Sequence, residues 1–149
     1  MKLFLNTILI ALLVCGTASA ATSLGQRAGQ FGFATLGGVA GAAVAIMAIA
    51  EIGPQIESGL GKTALVIGSL TVFDGLGAAA GVLAAGKIWG IEGSITGSIL
   101  GGMIGGLASA FVEPLLYVIG IPEGWTEFLG MALLPILPAL GATLGFGLQ

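Results

Sequence analysis

The sequence has 149 residues, of which 56% are hydrophobic, 28 are glycine and only 7% are charged, with a formal net charge of −3 at pH 7. Soluble domains carry about 25% charged residues, so this chain lacks the polar surface to cover an ordinary core in water. It has no histidine and a single cysteine, Cys15, which excludes an internal disulfide and zinc or haem sites built on those residues, and its few basic residues make no track for nucleic acid.

In chain order, Met1-Lys2, the apolar stretch from Leu3 to Val14 and Ala18-Ser19-Ala20 read as the three parts of a secretory signal peptide over residues 1–20. Val14 stands where a lipidation site would carry a small residue before Cys15, so a lipid anchor is not expected. Residues 21–149 then form a single glycine-rich membrane domain with three basic residues (Arg27, Lys62, Lys87) and seven acidic ones. The charges separate apolar runs. Residues 31–50 carry no charge over about 30 Å of helix, matching a bilayer's hydrocarbon thickness. Glu51 to Lys62 reads as a polar connection.

Residues 63–86 have Asp74 at their centre and are expected to form one span, with a possible break at Asp74-Gly75. Lys87 to Glu92, with Trp89, is a short connection into residues 93–112. Glu113-Pro114 is expected to close that third helix. Tyr117 and Trp125, among acidic and turn residues, suit a membrane interface, and residues 128–148, with Pro135 and Pro138, read as a kinked fourth span. Signal cleavage and four crossings would put Arg27 and Lys87 on the outer side and Lys62 on the inner.

Residues 93–112 carry the strongest pattern, five successive tetrads. Their first column is Gly93, Gly97, Gly101, Gly105 and Ser109; the second is Ser94, Ser98, Gly102, Gly106 and Ala110; the third, Ile95, Ile99, Met103, Leu107 and Phe111, is large and apolar. On a helix a four-residue step is a continuous ridge, so two adjacent ridges are nearly bare backbone. Shorter small ridges occur at Gly37 and Gly41, Gly77 and Gly81, and Gly141 and Gly145. In lipid, where hydrophobic burial gives helices little reason to associate, such ridges let backbones approach closely. The four ridges lie at irregular spacing, which suggests separate instances of one packing chemistry.

Through Gly93, Gly97, Gly101, Gly105, Gly102 and Gly106 the chain resembles the glycine-zipper proteins of bacterial envelopes, including the two-span outer-membrane and surface-antigen families. The resemblance covers about twenty residues and implies a structural envelope component without catalytic residues. The chain departs from it in lacking a convincing lipobox and in having about four apolar spans.

Asp74 is the sole ionisable residue inside an apolar run. It could relay protons or bind a cation within the membrane, cap a helix beginning at Gly75, or stay as a neutral buried acid. Gly59-Leu-Gly-Lys-Thr63 imitates the end of a phosphate-binding loop, but Ile56 occupies the position that pattern requires to be glycine. A β-barrel would need alternation, which Thr143 to Gln149 has and the tetrads lack.

The expectation is an all-α membrane protein of about four glycine-rich transmembrane helices after a signal peptide, exported to the cell envelope, non-enzymatic, and without cofactor, metal, nucleic acid or small-molecule substrate. Its partners would be the bilayer and, through the zipper helix, further copies of itself. The alternative is a small oligomeric pore or an ion- or proton-linked transport protein using Asp74.

Overall fold

A computed structural model describes residues 24–148; the expected signal peptide and Cys15 lie outside the described residues. Four long helices follow one another: α1 (Leu24–Ile52), α2 (Gly59–Trp89), α3 (Ile95–Val118) and α4 (Glu123–Phe146). Each is long and apolar enough to cross a membrane, and no strand occurs among the described residues. The all-α membrane fold expected from the sequence is therefore the fold of the chain.

Every helix extends beyond its charge-free run at one end or both, because helix geometry satisfies backbone groups wherever no turn residue interrupts it, although α3 starts two residues inside its run and α4 ends two residues short. The first helix takes in Arg27 and Gln30, both buried. The second starts where the Ser58 hydroxyl accepts from the Gly61 N–H at 3.0 Å, so the glycines and Lys62 of the loop-like motif form its first turn. It ends at Gly90, whose φ of 64° is left-handed. Pro114 does not close α3, which continues to Val118: one proline removes one N–H, whereas leaving the helix there would strip several. The fourth helix begins at Glu123, behind Pro122, with an acidic first turn that suits the positive end of the helix dipole.

Two antiparallel hairpins form the bundle, and glycine backbones make the closest contacts in each. Between α1 and α2, a Cβ on Gly37 would collide with the Gly77 carbonyl and one on Gly77 with the Gly37 carbonyl; Gly41 meets the Phe73 carbonyl and Gly81 the Phe33 carbonyl. Between α3 and α4, Gly101 and Gly141 oppose each other in the same way, as do Gly97 and Gly145, while Gly105 meets the Leu137 carbonyl. Each partner in the second set stands 64 positions after its counterpart in the first (101 against 37, 105 against 41, 137 against 73, 141 against 77, 145 against 81). Leu36-Gly37-Gly38 recurs as Leu100-Gly101-Gly102, Leu76-Gly77-Ala78 recurs as Leu140-Gly141-Ala142, and the starts of α2 and α4 keep the same offset.

The small ridges are thus one hairpin design used twice, and not the irregular scatter expected from the sequence. The period of the repeat spans two helices and a loop, whereas the tetrads of α3 repeat within a single element. The two copies run in the same direction, with α1 against α4 and α3 against α2 across the join. The spine of the bundle is α2 and α4, each touching the three other helices. Its core is small-residue packing: Ala34, Ala78, Val82, Ala139 and Ala142 are fully buried.

Large apolar side chains such as Leu36, Met47, Leu100, Ile104 and Met131 are exposed on the outside, the inverse of a soluble bundle and suited to lipid. Trp89 stands edge-on to Phe33 at a centroid distance of 5.7 Å at one end, and Trp125 edge-on to Phe128 at the other. Arg27 and Lys87 fall at the first of these ends and Lys62 at the second, as the crossing order requires.

Not every glycine serves packing. Nothing lies within 4 Å of a Cβ placed on Gly32 or Gly68, and both are inside helices. Gly32→Ala and Gly68→Ala should therefore stabilise the fold by up to about 1 kcal/mol through helix propensity. Melting in detergent tests this, and a clear loss of stability in both variants would contradict the division between packing and free glycines.

Candidate functional site in the bundle core

The two small columns of α3 serve different neighbours. Gly97, Gly101 and Gly105 of the first face α4, whereas Gly102 and Gly106 of the second face α2, at Gly75 and at the Leu70 and Thr71 carbonyls respectively. Ser98 of the second column is fully buried and donates its hydroxyl to the Ala142 carbonyl at 3.2 Å, tying α3 to α4. Gly93 and Ser94 do not join these ridges, because the helix starts after them. The Ser94 hydroxyl accepts from the Gly97 N–H at 2.9 Å as an N-cap, and Gly93 lies against the ring of Phe146.

Asp74 occupies the middle of α2 and is completely buried. It is the last residue of a π-helical turn, Leu70–Asp74. Such turns insert one residue into an α-helix and are frequent at functional sites. Asp74 itself has φ −68° and ψ −44°, and its side chain makes no capping bond. It is not a helix cap: α2 continues through it, leaving no free N–H groups at Gly75 for the carboxyl to accept.

The counterpart of Leu70–Asp74 in the second hairpin is the segment 134–138, which contains Pro135 and places Pro138, also fully buried, at the position of Asp74. Both spine helices therefore depart from regular α-helical bonding at the same place. Pro135 and Pro138 remove the donors for the carbonyls four residues before them, those of Met131 and Leu134.

Gly38 brings this place together. A Cβ on Gly38 would stand 3.0 Å from the Asp74 Oδ1 and 3.1 Å from the Pro135 carbonyl oxygen, so a carboxyl oxygen from α2 and a carbonyl oxygen from α4 converge on a notch in α1. Both Asp74 oxygens and the Thr71 hydroxyl are buried without a hydrogen-bond partner. Sequence reasoning singled out Asp74, read Gly75 only as a break or helix start and Pro135 only as a kink, and passed over Gly38 and Phe146. The signal for Gly38 was its doubling with Gly37, which parallels Gly101-Gly102 in α3.

The arrangement offers one carboxyl, the Thr71 hydroxyl one turn before it, backbone carbonyls and no basic side chain. Among the described residues no three histidine, cysteine, aspartate or glutamate side chains gather as a metal cluster would require. Comparison with protein-family models, with curated proteins and with solved structures finds no match to this chain.

Proposed function

We propose that this chain is a non-enzymatic integral membrane protein of the cell envelope, in which glycine ridges hold a self-contained bundle of two equivalent hairpins. The observation that carries the proposal is the reciprocal backbone contact of Gly37 with Gly77 and of Gly101 with Gly141. It supports zipper packing inside one chain. The glycines of both small columns of α3 are used against α4 and α2, and the outward face presents Leu100, Ile104, Leu107 and Phe111. The signal-like N-terminus supports the envelope assignment.

Membrane fractionation of a tagged chain, followed by cross-linking of the solubilised protein, tests the proposal. A membrane-embedded monomer is expected. A cross-linked oligomer that disappears on Gly101→Leu while the monomer stays folded would show that the zipper works between chains, and recovery in a soluble fraction would end the proposal outright.

A further inference from the structure

The unpartnered carboxyl of Asp74 lies where α1, α2 and α4 converge at a level at which both spine helices are irregular. Charged groups are distant. Arg27 and Glu51 on α1, Lys62 and Lys87 on α2, Glu113 on α3, and Glu123 and Glu127 on α4 all lie eight or more positions from Gly38, Asp74, Met103 and Pro135, at least about 12 Å along a helix. An ionised carboxylate would have neither a cation nor an N–H donor to meet it. The neutral acid has a hydroxyl, and the neighbouring Pro135 oxygen is an acceptor. The Asp74 Oδ1 and the Pro135 oxygen both border the Gly38 notch, and a proton on the carboxyl supplies the donor that would join them.

We infer that Asp74, the Pro135 carbonyl and the notch at Gly38 form an intramembrane proton-binding site. The loaded carboxyl donates to the Pro135 oxygen and joins α2 to α4 through the gap left by the missing Cβ of α1. Release of the proton leaves a charge that this packing does not accommodate, so unloading requires water entry or separation of these three helices. Occupancy is thereby coupled to helix packing. The π turn and the two prolines supply the places where α2 and α4 can shift without unwinding.

The test uses the full chain in detergent and in liposomes, with a hydrophobic carbodiimide as probe. A protonated carboxyl adds across a C=N bond of the reagent, transferring its proton to nitrogen, and the adduct is located by mass spectrometry. Asp74 is expected to label, to lose label as pH rises by about tenfold per unit once the acid is mostly ionised, and to show an infrared carboxylic-acid band that Asp74→Asn abolishes. Gly38→Ala is expected to wedge the two oxygens apart and move that band toward the frequency of an acid without a hydrogen bond. Circular dichroism and melting establish that both variants fold. An unlabelled Asp74 without an acid band would overturn the proton site, an unmoved band in folded Gly38→Ala would overturn the pairing with Pro135, and protection by sodium at constant pH would replace the proton with a metal cation.

Discussion

Gly101→Leu is expected to abolish the native bundle or to cost about 3 kcal/mol or more, at or beyond the upper end of the usual overpacking range. A Cβ at this position already collides with the Gly141 carbonyl, and the obstacle is the backbone of another helix, which cannot turn aside as a side chain can. Separating α3 from α4 also opens the neighbouring contacts of Gly97 with Gly145 and Gly105 with Leu137, as well as the Ser98 bond to Ala142. The loss should therefore spread along the hairpin. Marginal stability of about 5–15 kcal/mol leaves little reserve against it. Gly37→Leu should do the same at α1 and α2, because Gly37 is the counterpart of Gly101. Thermal melting and protease resistance in detergent measure both, with Gly32→Ala as the control. A Gly101→Leu protein with unchanged melting would mean that α3 and α4 do not approach at these residues.

Phe146→Ala should destabilise the fold by about 3–5 kcal/mol, the usual cost of removing a buried aromatic ring. The ring is only 5% exposed and lies against Gly86 near the end of α2 and Gly93 in the connection to α3. The Phe146 carbonyl accepts from the Ser94 N–H at 2.9 Å, so the end of α4 holds the junction of the two hairpins through both ring and backbone. Neither glycine can fill the space the ring would leave. Besides a lower melting temperature, faster proteolysis within residues 90–94 is expected. Cleavage there no faster than in the native chain would show that Phe146 does not secure the junction.

The same chemistry explains how much of the structure was legible in the sequence. Hydropathy determined the fold class, because a backbone surrounded by lipid must satisfy its own hydrogen bonds and an uncharged run of some twenty residues does so as a helix. Spacing determined that α3 is a packing helix, since a four-residue period is a ridge whatever it packs against. Even Asp74 was visible by its charge alone. The partner of each ridge was not determined, because a small column records that something approaches and carries no sign of which helix it is. Only the tertiary structure assigned Gly97, Gly101 and Gly105 of the first column to α4 and Gly102 and Gly106 of the second to α2, and it excluded Gly93 and Ser94 by starting the helix after them. The contacts showed the four ridges to be two copies of one hairpin, a repeat already written in the 64-residue offset of the sequence, and only the tertiary structure brought Gly38 and Pro135 to Asp74. Those residues are 36 and 61 positions from Asp74 in the chain (38 and 135 against 74), and contacts at such separations are decided by which helices share the core.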